Sequence, residues 1–459
     1  VRQLSEHAAV DQGATTGLVH SWHGTVPAEL AGRATAAALE VARRSVDPER
    51  VVELVMAAAD QAVHPNGWAY HGFAHGHAGL ALVQVLAAEA TTGDADRRAA
   101  LAAAFTYIRE AVAGTAGTPL TEPGVLAGTS GLALGLAACV RAEPRFGPSL
   151  DRLHEQLAAQ VLELPLPRVE RGVSDSDYDM VSGAAGILSY LCGIEEPGPG
   201  VRAAAEHLID YLVWLGAPPR DLTLTRRWLI SPDLCQGERD HPNGHLNVGL
   251  AHGIPGPLAA LATAWLAGYR RPGQDTALRL MLGWVQTLRR TDEHGPVWPS
   301  EVPIDDTGAE TRPGQPEDQI AWCYGTAGVA VALLPVAEAL GDDSLRALAI
   351  ESFEAVLGRF AERPVRSPTF CHGIAGLLVL CLEFAAHGSQ LAAAWTPRLL
   401  ESLLAQADPE LPVLFRDQEK PGVFVDSPSL LSGSAGIALA LLAATAPRRP
   451  SWFRAFLTR

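Results

Sequence analysis

Basic charge is scarce in this 459-residue sequence: 35 lysines and arginines stand against 51 aspartates and glutamates, a formal net charge of −16. Binding to nucleic acid or to an anionic membrane needs a basic face that releases counterions, and pairs such as Arg226-Arg227, Arg289-Arg290 and Arg448-Arg449 are too short to supply one. No nucleic-acid partner is expected. Cysteine is also sparse: six residues (Cys139, Cys192, Cys235, Cys323, Cys371 and Cys381) are too few for a disulfide scaffold of this length. A reducing, cytoplasmic setting follows as the expectation, with each thiol either core filling or a metal ligand. There is no charged-then-apolar opening segment, and polar residues break every apolar run before it reaches about 20 residues, so no integral membrane segment is expected. The glycine-rich stretches carry no Gly-Lys-Ser/Thr, which argues against a nucleotide site.

What the sequence has in quantity is apolar surface, 48% of residues, and glycine, 44 residues. Seven times a Gly-x-x-Gly opens an apolar run: Gly76–Gly79, Gly128–Gly131, Gly183–Gly186, Gly253–Gly256, Gly325–Gly328, Gly373–Gly376 and Gly433–Gly436. Their first glycines are spaced 52, 55, 70, 72, 48 and 60 residues apart. One such motif means little; seven opening the same kind of segment define a repeated unit. Between them lie amphipathic segments of helical period: Asp47–Val63, Asp94–Val112, Leu150–Leu164, Val201–Leu215, Asp275–Arg290, Asp343–Phe360 and Gln390–Gln406. A helix that is apolar all round must be buried on all sides, so each unit pairs a buried helix with a half-exposed one. Fourteen helices in such pairs predict an all-α fold, an α/α toroid of seven inner and seven outer helices, over residues 46–459. Residues 1–45 have weaker repeat character and read as an N-terminal segment with an extra helix packed on the barrel. Hairpin signals are confined to connectors near residues 222–230 and 411–425. Glycines at the inner-helix N-termini let backbones converge and leave N–H groups at the barrel rim, where a site belongs.

The residues preceding each Gly-x-x-Gly separate inert loops from reactive ones. Repeats two and seven carry Leu126-Ala127 and Leu431-Ser432; repeat five carries Trp322-Cys323-Tyr324 and repeat six Phe370-Cys371-His372. Cys323 and Cys371 sit at matching offsets in adjacent repeats, which a toroid places side by side. Two thiolates and an imidazole make a three-ligand set suited to Zn²⁺ with a fourth position open, the pattern of a catalytic rather than a closed structural site. Cys139, Cys192 and Cys381 lie inside apolar helices and read as core. His75 and His77 read as rim or core residues, because repeat one need not adjoin repeats five and six. His241 and His245 fall in a Pro/Gly/Asn-rich connector and are expected to be solvated. The long connectors at about 190–250 and 290–320 are candidate peptide contacts on length alone.

Taken together, Trp322-Cys-Tyr-Gly325, Cys371-His-Gly373, Ala251-His-Gly-Ile-Pro-Gly256 and Tyr178-Asp-Met-Val-Ser-Gly183 resemble the lanthionine synthetase C-like family, the lantibiotic cyclases, over roughly residues 50–445. That resemblance implies an α/α toroid, a single zinc and thioether-ring formation. Carried over by position, it makes Cys323, Cys371 and His372 the zinc ligands, His252 the acid/base histidine, Asp179 the aspartate near the metal, and Tyr324 the tyrosine following the first zinc cysteine. It also implies a dehydrated precursor peptide as substrate, with a dehydratase and export machinery as further partners. One position departs: the family arginine four residues before the first zinc cysteine is Gln319 here, and Arg312 is nearby but off the motif.

These residues suit the implied chemistry. A thiolate must add to the β-carbon of dehydroalanine or dehydrobutyrine, and the resulting enolate must be protonated. A free cysteine with a pKa near 8.5 is only about 3% thiolate at pH 7. Zinc binding removes that limit, and two anionic sulfur ligands on the same ion keep the incoming thiolate nucleophilic. His252 titrates near neutrality and suits proton transfer, with Asp179 holding its orientation. Other readings stay open: glutathione addition to dehydrated peptides, a prenyltransferase-like zinc-thiolate enzyme, and a noncatalytic peptide-binding scaffold.

Overall fold

The computed structural model describes residues 18–117, 119–169, 172–220, 226–234, 241–311 and 318–457. A hairpin of β1 (Leu18–Ser21) and β2 (Gly24–Pro27) leads into α1 (Ala28–Arg44) and α2 (Pro48–Gln61). Buried and half-exposed helices then alternate: α3 (His77–Ala90) and α4 (Asp94–Gly114), α5 (Thr129–Ala142) and α6 (Gly147–Glu163). After the single turn α7 (Asp175–Tyr178) come α8 (Ala184–Cys192) and α9 (Pro199–Gly216), then α10 (Pro255–Leu266) and α11 (Gln274–Thr287). The series continues with α12 (Thr326–Leu340) and α13 (Asp343–Glu362), α14 (Ile374–Ala386) and α15 (Gln390–Leu404), and ends with α16 (Ser434–Thr445). Short antiparallel ladders fill the connectors. They pair β3 (His245–Asn247) with β6 (Glu301–Pro303), β4 (Arg290–Thr291) with β5 (Pro296–Val297), and β7 (Asp417–Lys420) with β8 (Val423–Val425). No described helix is long and apolar enough to cross a membrane.

The helices that follow a Gly-x-x-Gly are α3, α5, α8, α10, α12, α14 and α16. Each touches the next, and α16 returns to touch α3. That last contact separates a closed ring from an open solenoid, whose end repeats would not meet. Burial agrees: every residue from Ser434 to Ala444 in α16 is covered. The fold is an all-α toroid. The outer position beside α16 is taken by α1, which also packs on α3 and α15 and buries six residues, from Leu30 to Ala42. The segment expected as the first outer helix, α2, packs instead on α4 and β8. It buries only Val51, Leu54 and Ala58, too narrow a stripe to be covered on its whole inner side. The turn at Ser45, where the expected division falls, thus joins a helix in the outer layer to one at the rim.

The second glycine of each motif is required by a close approach. A Cβ at Gly376 would stand 2.0 Å from the Phe370 carbonyl oxygen, and the same clash recurs at Gly79, Gly131, Gly186 and Gly436 with the carbonyl six residues earlier. The loop therefore doubles back directly onto the first turn of its helix. So placed, the residues two before each first glycine link neighbouring repeats through backbone hydrogen bonds. Ala74 N–H donates to Leu126 O (2.9 Å), Leu126 to Val181 (3.1 Å) and Ala251 to Cys323 (3.1 Å). On the other arc Cys371 donates to Leu431 (2.9 Å), and Leu431 to Ala74 (3.2 Å). Beneath this circle the C-terminal 3-10 segment Ser451–Phe456 fills the axis. Phe456 packs on Phe73, Trp322 and Phe370, and its carbonyl accepts from Trp322 Nε1 at 3.0 Å.

Candidate metal and proton-transfer site

Cys323 and Cys371 occupy adjacent places on the rim circle, and their sulfurs lie 3.6 Å apart. Two sulfur ligands at about 2.3 Å on a tetrahedral zinc would be separated by about 3.8 Å, so the pair already has the spacing of a metal edge. Both are partly buried, and they titrate as a pair. A hydrogen bond from the Cys371 thiol eases ionisation of Cys323, while that bond, burial and the first negative charge hold the Cys371 proton well above the usual thiol range. A cation between them is what would let both ionise. His372 hydrogen-bonds to Cys371, which raises its pKa against the opposing effect of burial, with Asp417 and Glu419 adding to the rise. Its side chain remains 44% exposed, and its Nε2 is 3.9 Å from Asp417 Oδ2. Among the described residues, the only three donors all within 4.8 Å of one another are Glu293, His294 and Glu362, on the surface. The cysteine pair and His372 are therefore more widely spaced than that, with the His372 imidazole the most exposed of the three.

Across the rim, His252 Nδ1 and Asp179 Oδ2 are 2.7 Å apart. Asp179 is 1% exposed, and its other oxygen accepts N–H groups from Val181, Ser182 and Gly183 at 2.8–3.0 Å, so one carboxylate both ties the loop before α8 and faces the imidazole. With Nδ1–H committed to Asp179, Nε2 is left to exchange protons. Burial alone would lower the His252 pKa; the hydrogen bond and charge of Asp179, backed by Asp175 and Cys371, outweigh it and raise it above 6.5. Tyr324 lies beside this pair, its ring 6.4 Å from that of His252 and its hydroxyl accepting from Asn247 Nδ2 at 3.1 Å. A Cβ at Gly249 would meet the Tyr324 ring at 2.6 Å, so this glycine makes room for the tyrosine.

The Cys323 loop has its own anchor. Asp318 Oδ1 accepts from Thr326 N–H (2.8 Å) at the start of α12, and Asp318 Oδ2 accepts from Arg359 Nη1 (2.9 Å). Arg359, 1% exposed on α13, also binds Asp292 through Nε and Nη2 at 2.7 and 2.8 Å, holding that carboxyl down to about 2. Gln319, next to Asp318, is exposed. Its carbonyl lies where a Cβ of Gly325 would go, at 1.9 Å, and Gly325 has φ +85°, so that position tolerates glycine alone. Arg312 lies outside the described residues.

The other expectations sort cleanly. Cys139 and Cys381 are fully buried, and burial pushes them and Cys192 up to about 12; Cys235 lies outside the described residues. His77 is buried among the rings of Trp68, Tyr70 and Tyr107, and burial lowers it to about 4. His245 is not solvated: it is 3% exposed in β3, paired with β6, and its neighbour His241 lies 2.9 Å from Glu301. His75, expected at the rim or in the core, is half-buried at the rim. It precedes its glycine at the offset shared by His252, Tyr324 and His372, and it lines one cavity with Cys371, His372 and Asp417.

A sequence model of the family described as lanthionine synthetase C-like protein matches residues 96–457, most of the chain. The chain belongs to the lanthionine synthetase C-like family. Among curated proteins it is similar to nisin biosynthesis protein NisC of Lactococcus lactis subsp. lactis, with 26% identity over 288 residues. That match covers 61% of this chain and 66% of the relative, just under two thirds of the relative's length. Among solved structures it is similar to a nisin cyclase with TM-score 0.70, covering 89% of this chain and 97% of that one. At 21% identity, this likeness speaks for the toroid alone.

Proposed function

We propose that this protein is a zinc-dependent peptide cyclase that forms lanthionine and methyllanthionine thioethers by adding a cysteine thiol to dehydroalanine or dehydrobutyrine. The observation that carries the reading is the pairing, on one rim, of two sulfurs 3.6 Å apart with a buried carboxylate–imidazole couple. Cys323, Cys371 and His372 would hold the zinc, and the ion would lower the pKa of an incoming thiol so that it reacts as thiolate near neutrality. The remaining work falls to the protein. In the addition the sulfur–carbon bond forms at the β-carbon, the double-bond electrons move toward the carbonyl, and the α-carbon takes a proton. His252 Nε2 delivers that proton and recovers the one lost by the thiol, so nothing is oxidised or reduced overall. Asp179 fixes the imidazole and favours its charged form, and Tyr324, held by Asn247, closes one side of the site. Because dehydroalanine arises from serine by loss of water, a dehydratase must act first, and the same reading places the chain in the cytoplasm.

The test joins metal analysis to thiol consumption. The wild type should carry about one zinc per chain and deplete alkylatable thiol from a dehydrated, cysteine-containing peptide; Cys371→Ala should lose both. A metal-free wild type purified without chelator, or a Cys371→Ala protein that still cyclises, overturns the proposal.

A further inference from the structure

A separate cavity lies at the other end of the toroid from the cysteine rim, where the inner helices finish. Its volume is about 340 Å³, within the range of small-ligand pockets, ~300–1,000 Å³. Its apolar lining comes from Leu82 of α3, Leu134 and Ala137 of α5, Leu150 of α6 and Trp452 of the C-terminal segment. Two guanidiniums meet there: Arg141 from the last turn of α5, and Arg454 from the C-terminal segment. Among the described residues Arg454 has no ion pair. Its Nε donates to Ser451 O at 2.9 Å and its Nη1 to Gly193 O, both neutral carbonyls, while Nη2 has no acceptor. A Cβ at Gly193 would collide with Nη1, so the end of α8 is shaped to admit this side chain. Arg141 makes no hydrogen bond among the described residues, and Glu89, its one ion-pair partner, is 3.9 Å away. Burial lowers the Arg454 pKa; Tyr190 and Glu195 oppose that fall, and the like charge of Arg141 adds to it. The other polar lining supplies no close countercharge. His154 Nε2 and the Tyr190 hydroxyl are 2.7 Å apart, burial lowers the His154 pKa, and the exposed Glu195 pairs with neither arginine. A cation is favourable at a helix C-terminus, which accounts for the Arg454 bond to Gly193. It leaves Arg454 Nη2 and the whole Arg141 guanidinium without an acceptor.

We infer that this cavity is a second ligand site, for a small organic anion whose carboxylate or phosphate accepts from Arg141 and Arg454 while its apolar body lies on Leu134, Leu150 and Trp452. Two neighbouring like charges beside apolar walls are stabilised by an anion placed between them, because guanidinium–oxyanion bonds are charge-assisted. The chain has 51 acidic residues to 35 basic ones, so acid is plentiful, yet none stands within hydrogen-bonding distance of either guanidinium. The site is independent of the metal reading proposed above. It does touch the segment on which the rim rests, since Ser451, Trp452 and Arg454 precede Phe456, which packs on Trp322 and Phe370.

The experiment titrates the full chain by calorimetry, in a buffer free of carboxylate and phosphate, with hexanoate, hexyl phosphate, 1-hexanol and acetate. At least one of the two hexyl anions should bind about tenfold or more tighter than both 1-hexanol, which lacks the charge, and acetate, which lacks the body. A preference for hexanoate identifies a carboxylate ligand, and a preference for hexyl phosphate a phosphate monoester. Arg141→Gln, at a half-exposed side chain, should remove most of the anion's advantage over 1-hexanol, with the thermal midpoint of the unliganded protein unchanged. Ala137→Phe should weaken the hexyl anion about tenfold by occupying the space of its body. The site is overturned if neither hexyl anion outbinds 1-hexanol in the wild type, or if Arg141→Gln binds the preferred anion as tightly as the wild type does. It is also overturned if acetate binds as well as hexanoate, since the guanidiniums would then be acting without the cavity.

Discussion

Asp179→Asn is the sharpest perturbation of the proposed proton-transfer couple, because it is nearly isosteric and the position is 1% exposed. The asparagine Oδ1 can still accept the three N–H groups of Val181, Ser182 and Gly183, but as a neutral acceptor. Each charge-assisted bond loses on the order of 1 kcal/mol on becoming neutral, so folding stability should fall by about 2–3 kcal/mol. The larger effect is on His252. An asparagine Nδ2 facing Nδ1 at the present 2.7 Å is a donor, so the neutral ring must accept at Nδ1 and carry its proton at Nε2. The charged ring would then bring two donors together. Positioned acid/base groups contribute about 10²–10⁴-fold in rate, ~3–5 kcal/mol of barrier, and the variant should lose much of that. The direction in pH follows from the raised His252 pKa. The stability the couple adds is full below 6.5 and is lost as pH rises through the raised folded value, and a proton-donating His252 fails over the same interval. In Asp179→Asn the alkaline limb of the rate profile should therefore move to lower pH, and the pH-dependence of stability above neutrality should flatten. Thiol consumption against pH, with thermal melts at each pH, reads both. A variant within about threefold of wild-type rate, its alkaline limb unmoved while His252→Asn is inactive, would refute the coupling of Asp179 to proton transfer.

Three further perturbations probe the scaffold around the proposed metal ligands. Gly376→Ala sets a Cβ against the Phe370 carbonyl at 2.0 Å, so the loop carrying Cys371 and His372 must shift; a loss of about 1–3 kcal/mol by thermal melt and weakened zinc retention are expected. Arg359→Met strands Asp292 and Asp318 without their buried cation and should lower stability by about 3–5 kcal/mol in urea unfolding. Asp417→Asn weakens the carboxylate beside His372 Nε2 and should reduce zinc affinity about 10–100-fold by chelator competition, with metal-free stability nearly unchanged.

How far the site was legible in the sequence follows from the geometry of a ring. Residues at one offset from the glycine occupy equivalent places around a circle, so Cys323 and Cys371, both two residues before their glycines, could be paired from spacing. His252, Tyr324 and His372, each one residue before, fall under the same rule. The periodicity of α2 was equally visible, but a helical period states that one face is apolar, not what covers it. The ring took the broader face of α1 and left α2 at the rim. The burial of His245 depends on pairing with Pro303, and the cavity beside Cys371 and His372 depends on contacts between residues 63 and 419; neither separation is encoded by a repeat. The long connectors expected to meet the peptide fall partly outside the described residues, while that cavity is walled by α2 and the shorter 417–425 hairpin. His75 is the telling case. Its place directly before Gly76 carried the same message as His252 and His372, yet repeat one need not adjoin repeats five and six. It does not adjoin them: α16 returns to α3, Leu431 binds Ala74, and repeat seven lies between the first repeat and the sixth. In a closed ring, distance along the chain therefore fails as a guide at the seam, where His75 comes to share a cavity with Cys371 and His372.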